Sequence, residues 1–107
     1  MAKITYNKLI RDRIPEIIEQ EGKHYYVETM TPVEYEKALL EKLVEEAKEA
    51  RWADEAHIKT ELADILEVID ALLELKCLSR QALRREQRLR RSKRGGFEKR
   101  LKLLWTE

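Results

Sequence analysis

Apolar residues recur every three or four positions in two long stretches of the chain, which is the spacing of amphipathic α-helices. The first stretch, residues 32–52, follows a predicted capping box of Thr31 and Glu34 and carries Leu39, Leu40, Leu43, Val44, Ala47 and Ala50. The second follows Asp54, its predicted N-cap, and carries Ile58, Leu62, Ile65, Leu66, Ile69, Leu72 and Leu73. A turn near residues 54–56 makes the two helices antiparallel, with these apolar stripes as their core.

Shorter elements are predicted on both sides of this helix pair. Pro15 suits the first turn of a helix over residues 14–21. Ser79 is the predicted cap of a basic helix that runs to about Arg91.

Two segments near the ends of the chain have the composition of short strands. Residues 24–29 are rich in aromatic and β-branched side chains, and apolar residues alternate over 101–105. The length of 107 residues fits one domain. We therefore predict a single all-α domain over residues 1–107, a helical bundle built on the antiparallel helix pair, with short strands near the ends.

Charge is divided unevenly along the chain. Residues 34–74 hold thirteen of the 21 acids, whereas residues 80–102 hold eleven of the 22 bases and only two acids. An acidic middle and a basic tail favour a metal site and an anion-binding surface in one small domain.

Cys77 is the only cysteine, which excludes an intrachain disulfide and a cysteine-rich zinc site. The chain shows no signal peptide and no apolar run of about 18 residues, so we expect a cytoplasmic protein without a membrane partner.

Two pairs of carboxylates are spaced three residues apart on the two long helices. Glu46 and Glu49 belong to the first helix, and Glu61 and Asp64 belong to the second. Residues i and i+3 share one side of a helix, and both pairs are equidistant from residue 55, so an antiparallel turn brings all four level. Facing carboxylates repel unless cations or protons lie among them, and Mg²⁺ prefers oxygen ligands. We predict a metal site here; the alternative is a solvated helix face.

Basic residues near both ends of the chain are candidates for phosphate contacts. They are Lys8, Arg11, Arg13, Lys93 and Arg94, and the adjoining Gly95 and Gly96 would let backbone N–H groups approach a phosphate closely. The alternative is that these bases are solvated or pair with neighbouring acids. The histidines, His24 and His57, are expected to be structural or exposed. Four large aromatic residues are expected in the core or at an interface: Tyr25, Tyr26, Tyr35 and Trp52.

The acidic motifs resemble those of a known family. Glu45-Glu46-Ala47-Lys48-Glu49 and Glu61-Leu62-Ala63-Asp64 are similar to the motifs of the α-helical nucleoside triphosphate pyrophosphohydrolases, the MazG-like group that includes phosphoribosyl-ATP pyrophosphohydrolase. The opening segment, residues 6–18, and the closing segment, residues 94–100, resemble the branch described as phosphoribosyl-ATP pyrophosphohydrolase-like. The resemblance covers roughly residues 4–104, nearly the whole chain.

The resemblance implies a chemistry and an assembly. Its metal ligands fall on Glu46, Glu49, Glu61 and Asp64, which would hold Mg²⁺ (Mn²⁺ is the alternative) on a triphosphate substrate. Water would then attack between the α and β phosphorus atoms, giving a nucleoside monophosphate and pyrophosphate. The resemblance also implies a homodimer or a dimer-built tetramer with a site completed across subunits. One departure is the short gap of eleven residues between the two motifs, which weakens any inference about the base.

Roles for the remaining candidates follow from this chemistry. Glu45 or Glu49 would orient or deprotonate the attacking water. Lys8, Arg11 and the Arg94-Gly95-Gly96 turn would bind the phosphates. The chain is thus expected to be a Mg²⁺-dependent nucleotide pyrophosphohydrolase, without a nucleic-acid partner. The alternative is a non-catalytic nucleotide- or nucleic-acid-binding module that uses the basic segment 80–102, and a third hypothesis gives the acidic cluster a role in assembly alone.

Overall fold

The computed structural model describes residues 2–107, and over these residues the protein is all-helical. The helices are α1 (Ile14–Gln20), α2 (Pro32–Trp52), α3 (Ile58–Leu75) and α4 (Arg80–Arg94). The all-α prediction is confirmed. The two strand predictions are wrong, because neither 24–29 nor 101–105 is a strand and no other strand occurs in the described part of the chain. Both segments are exposed and lack a neighbouring strand, without which extended backbone has no ladder of hydrogen bonds.

The start of α2 follows the sequence prediction. The Thr31 hydroxyl accepts a hydrogen bond from the Glu34 backbone N–H at 3.3 Å, and the Glu34 carboxylate accepts one from the Thr31 N–H at 3.2 Å. This reciprocal pair satisfies two backbone donors that the first turn of a helix leaves free. It fixes the start of the helix that carries Glu45, Glu46 and Glu49.

The start of α3 differs from the prediction by one turn. His57, and not Asp54, is the residue that precedes the helix, and its side chain makes no capping bond. Asp54 instead closes a turn over residues 54–57, where its carboxylate accepts the His57 backbone N–H at 3.0 Å. Aspartate forms such local turns readily, because its short side chain reaches the backbone two or three residues further on.

Helices α2 and α3 pack against each other as an antiparallel hairpin and form the centre of the fold. The apolar residues that become buried are Leu39, Val68 and Leu73. The predicted stripes are wider than the contact between two helices, and part of each stays exposed. Leu40, Val44, Leu62 and Leu66 remain about half exposed on the same side of the hairpin. The shared core predicted from the apolar spacing is therefore only partly formed within one chain.

The C-terminal part of the chain extends away from the hairpin. We call residues 79–107 the C-terminal arm: it consists of α4 and the irregular segment that follows. Every residue from Leu83 to Glu107 is exposed. The arm's one ion pair with the rest of the described chain joins Arg80 to Asp70 near the end of α3.

This extension gives the protein an open shape. Its radius of gyration is 18.4 Å, whereas a compact domain of this length has about 13 Å. Its accessible surface is 10609 Å², whereas a folded monomer of this mass exposes about 6,300 Å². Among residues 2–107, no helix has the length and apolar character needed to cross a membrane.

Candidate metal centre

Three of the four predicted metal ligands meet between α2 and α3. One carboxylate oxygen from each of Glu46, Glu61 and Asp64 lies within 4.8 Å of the other two. Glu46 is on the side of α2 that faces α3, and Glu61 and Asp64 are one turn apart on the facing side of α3. The antiparallel hairpin therefore places these three carboxylates at the same height along the two helices, as the sequence predicted.

The cluster contains buried oxygen atoms that nothing in the protein satisfies. The Glu46 side chain is almost completely enclosed, with 7% of the residue exposed. Oxygen Oε2 of Glu46 and Oε2 of Glu61 are both buried without a hydrogen-bond partner. Burying a carboxylate without a compensating partner is costly, and native proteins avoid it. Hard oxygen atoms that converge from three carboxylates, two of them without a donor, match the preference of Mg²⁺ or Mn²⁺, so the residues present fit a divalent cation.

The electrostatics of the cluster point the same way. Burial, followed by the charge of the neighbouring Glu49, raises the pKa of Glu46 above its ordinary value. Lys42, whose Nζ lies 3.6 Å from Glu46 Oε1, acts in the opposite direction but does not offset these effects. The pKa of Glu61 is also raised, first by burial and then by the charges of Glu49 and Asp64. The positive charge near Glu46 and Glu61 is therefore too small to offset burial and the neighbouring carboxylates, and a bound cation would supply more.

Glu49, the fourth predicted ligand, lies at the exposed edge of the cluster. Its carboxylate is near enough to raise the pKa of both Glu46 and Glu61, but it is not part of the group of three converging oxygens. This position, beside the cluster and open to solvent, suits a group that acts on a bound water.

The N-terminal segment brings one predicted phosphate contact, Arg11, to the cluster and a second, Lys8, to Glu45, the residue before Glu46. Arg11 Nη2 lies 2.7 Å from Asp64 Oδ1, and Lys8 Nζ lies 3.4 Å from Glu45 Oε1. Both pairs join residues far apart in sequence, so they fix this segment against the hairpin. In this arrangement Lys8 and Arg11 bind carboxylates, which is the alternative that the sequence left open. Arg13 pairs with Glu16 on α1 and not with the cluster.

The other predicted phosphate contacts are on the arm, and the structure does not bring them to the cluster. Lys93 and Arg94 end α4, and Gly95 follows with φ of 82°, a conformation that glycine adopts without strain. Within residues 2–107 no hydrogen bond or ion pair joins Arg94, Gly95 or Gly96 to the carboxylates. The arm's Arg91 pairs with Glu98 beside this turn.

An open cleft of about 490 Å³ adjoins the cluster at the turn between α2 and α3. It shares Glu49 and Glu61 with the carboxylate site and is lined further by Lys48, Trp52, Ala53, Asp54 and His57. The Trp52 residue is 79% exposed, and the Arg51 guanidinium carbon lies 5.2 Å from the centroid of its indole ring. His57 Nδ1 lies 2.6 Å from Asp54 Oδ1, which orients the imidazole.

Sequence reasoning missed Trp52 and His57 as residues of a site. A signal was present in their spacing, because Trp52 follows Glu49 by three positions and His57 precedes Glu61 by four. On a helix these separations bring side chains to one side, next to the carboxylates. Trp52 is too exposed to be a core residue, contrary to one of the two structural roles expected for it.

Comparisons with family models, with curated proteins and with solved structures each gave no match for this chain. The resemblance to the MazG-like pyrophosphohydrolases, carried by the two acidic motifs, stays a prediction.

The raised pKa of Glu46 predicts that Glu46→Gln stabilises the metal-free protein. Removing a buried, uncompensated charge gains about 1 kcal/mol, which corresponds to a melting temperature higher by about 5 °C in a domain of this size. The folded state holds the Glu46 proton more tightly than the unfolded chain does. The free energy of unfolding of the wild-type protein therefore decreases as pH rises above about 4.5. Glutamine does not titrate, so the difference in melting temperature between Glu46→Gln and wild type grows over the same pH range.

Thermal unfolding in a chelator at several pH values measures this effect. The matched control is Glu41→Gln, an exposed glutamate of α2 outside the cluster, which should leave the melting temperature unchanged. A melting temperature for Glu46→Gln that is lower than wild type at neutral pH would show that the buried carboxylate is already compensated.

Proposed function

We propose that the protein is a Mg²⁺-dependent nucleotide pyrophosphohydrolase that cleaves a nucleoside triphosphate between its α and β phosphates. The products are a nucleoside monophosphate and pyrophosphate. The observation that carries this proposal is the carboxylate cluster of Glu46, Glu61 and Asp64, with two buried oxygens that lack any partner. The resemblance of the two acidic motifs selects the reaction from among those that a metal-carboxylate site can support.

The cation in this proposal is held by Glu46, Glu61 and Asp64, with Glu49 at its open edge. When bound, Mg²⁺ supplies neutralisation of phosphate charge and a lowered pKa for a coordinated water. Glu46 is buried between the two helices, whereas Glu49 is exposed and lines the adjoining cleft. A substrate would therefore approach the cation from the side of Glu49.

The protein's own residues then have separate tasks. Glu49 accepts the proton of the attacking water, because it is a carboxylate at the exposed edge of the site, and Glu45, one turn earlier, is the alternative base. Arg11 and Lys8 exchange their carboxylate partners for phosphate oxygens, since guanidinium and ammonium groups bind both kinds of anion. This exchange needs only side-chain rotation, because both side chains are about half exposed.

The adjoining cleft is the proposed place for the nucleoside. It opens from Glu49 and Glu61, so a substrate whose phosphates reach the cluster extends along it. Trp52 offers an exposed indole ring to the base, and stacking on an aromatic ring contributes about 1–3 kcal/mol per base. Stacking of this kind accepts any base.

We further propose that the enzyme acts as a homodimer or a dimer-built tetramer in the cytoplasm. Among residues 2–107 only three apolar residues are buried, which is a small core for an independent domain. Leu40, Val44, Leu62 and Leu66 leave a continuous apolar side on the hairpin. A second copy would bury this side and add to the core.

The alternative function is a non-catalytic module that binds nucleotides or nucleic acid through the basic arm. The observation that favours it is the exposure of the arm, whose residues 80–102 carry a net charge of +9. Binding through many phosphate contacts weakens steeply as salt rises. Hydrolysis at the carboxylate cluster would instead depend on a divalent cation.

The experiment that tests the proposal is incubation of the protein with canonical and modified nucleoside triphosphates and Mg²⁺, with pyrophosphate and orthophosphate measured separately. Release of pyrophosphate and a nucleoside monophosphate supports the proposal and ranks the bases. Orthophosphate alone means cleavage of a different bond or a contaminant. No product from any nucleotide, together with salt-sensitive binding, would favour the alternative.

A further inference from the structure

The hairpin is predominantly acidic and the C-terminal arm is predominantly basic, and the two make little contact within one chain. Residues 34–74, which form most of the hairpin, hold thirteen acids and five Lys or Arg, a net charge of −8. Residues 80–102 of the arm have a net charge of +9, although the whole chain has +1. A single ion pair, Arg80 with Asp70, joins the arm to the hairpin. Within residues 2–107, nine of these eleven bases have no ion pair, so most of the positive charge of the arm is left for contacts outside the protomer. Several hairpin acids already pair with other bases of the same chain, as Glu36, Glu45 and Asp64 do, but in the described part of the chain Glu67 and Glu74 do not.

The arm also exposes apolar side chains that its helix cannot cover. Its irregular end carries five large apolar residues whose exposed fractions range from 72% to 95%: Phe97, Leu101, Leu103, Leu104 and Trp105. Lys99, Arg100 and Lys102 lie among them. A surface with this mixture needs a partner that is both acidic and partly apolar. A nucleic acid would neutralise the bases but would leave most of the leucines in water.

We propose that this partner is a second copy of the chain, and that the arm of each copy packs on the acidic side of the hairpin of the other. Arg84, Arg88 and Arg91 share one side of α4 and span seven residues. Glu67 and Glu74 share one side of α3 and also span seven residues, which is about 10.5 Å on either helix. Both glutamates are exposed and neither has an ion pair within residues 2–107.

The surface area of the protomer agrees with such an exchange. One chain exposes about 4,300 Å² more than a compact monomer of its mass. Permanent homodimers bury about 2,000–5,000 Å² in total. An exchanged arm, counted twice by symmetry, is an extended element of the right size to account for much of this excess. This proposal does not depend on the hydrolase chemistry and would stand if no nucleotide were cleaved.

The test uses two full-length variants with opposite charge reversals. The arm variant carries Arg84→Glu, Arg88→Glu and Arg91→Glu, and the hairpin variant carries Glu67→Arg and Glu74→Arg. Sedimentation velocity across a concentration series measures the dissociation constant of the dimer. We expect each variant alone to dissociate at least about tenfold more readily than wild type, because like charges then face each other. Circular dichroism reports whether each variant keeps its helices.

Mixing the two variants gives the result that only arm exchange predicts. In the mixed dimer each reversed surface meets a surface of opposite charge, so both contacts are restored and association returns to near the wild-type level. A control with Lys3→Glu, Lys23→Glu and Lys59→Glu also reverses exposed charges and should leave the dimer unchanged.

Three outcomes would overturn the proposal. They are a monomeric wild-type protein, an arm variant that dimerises like wild type, and a mixture that fails to associate. An arm variant that keeps its dimer but loses binding to a fluorescent oligonucleotide would identify a polyanion as the partner of the arm.

Discussion

We expect Glu49→Gln to lower the rate of the proposed pyrophosphate release by about 10²- to 10⁴-fold, the usual contribution of a positioned general base. Glutamine keeps the size of the side chain and its hydrogen-bonding oxygen but cannot accept a proton. Glu49 lies at the exposed edge of the carboxylate cluster, so the substitution changes the chemistry with little effect on packing. The measurement is steady-state release of pyrophosphate at saturating Mg²⁺, with the helical content checked by circular dichroism.

The matched control for this prediction is Glu41→Gln, which changes an exposed glutamate two turns earlier on α2. Its activity should equal that of wild type, because Glu41 is not part of the carboxylate cluster. Glu45→Gln separates the two candidates for the base. If Glu45→Gln loses the activity and Glu49→Gln does not, the catalytic role passes to Glu45. Full activity in both variants would show that neither carboxylate handles the proton.

The carboxylate cluster could be predicted from the sequence because it depends on local geometry. The spacing of Glu61 and Asp64 places them on one side of a helix whatever the rest of the fold does. Glu46 meets them because the connection from α2 to α3 is short enough to leave only an antiparallel arrangement. The capping box of Thr31 and Glu34 is local in the same sense, and the structure contains it.

The rest of the fold depends on contacts that periodicity does not encode. Apolar spacing identified Leu40, Val44 and Leu66 as core residues, but it cannot tell which part of a wide stripe meets a partner helix. The alternation over 101–105 suggested a strand, but a strand also requires a neighbour, and no neighbouring strand lies alongside.

Whether a predicted phosphate-binding residue lies near the cluster also depends on the tertiary fold, which the local sequence does not determine. Arg11 and Arg94 have the same chemistry, but only Arg11 contacts a carboxylate of the cluster. The difference lies in the path of the backbone, because residues 8–11 reach the hairpin through Lys8 and Arg11 whereas the arm leaves it. Trp52 was expected to be a core or interface residue for a related reason, since a large aromatic residue at the end of an amphipathic helix is usually buried.

Mg²⁺ is expected to raise the melting temperature of the wild-type protein by roughly 10 °C or more at a concentration a hundred times its dissociation constant. A ligand at this level adds about 2.7 kcal/mol to the free energy of unfolding, and each kcal/mol shifts the melting temperature by about 4–8 °C in a domain of this size. The shift should shrink as pH falls toward 5, because the raised pKa values of Glu46 and Glu61 let protons compete with the cation. Differential scanning calorimetry with and without a chelator measures this shift.

Two ligand variants and one control make this prediction specific to the cluster. Glu61→Gln and Asp64→Asn should remove most of the Mg²⁺-dependent shift, because each deletes a charged oxygen from the group of three. The control Glu67→Gln, on the exposed side of the same helix, should keep it. A shift that survives both ligand variants would place the cation elsewhere.

The same measurement separates the three hypotheses for the acidic cluster. A hydrolase requires that the Mg²⁺-dependent shift and the pyrophosphate release disappear together in Glu61→Gln. A shift without any turnover would mean that the cluster binds a cation that holds α2 against α3, because the ligands come from both helices. If Mg²⁺ changed neither stability nor turnover, the carboxylates would serve assembly, and Glu61→Gln would then weaken the association of the protomers in the presence or absence of the cation. Since each hypothesis predicts a different pair of results for stability and turnover, the wild-type protein and Glu61→Gln are sufficient to choose among them.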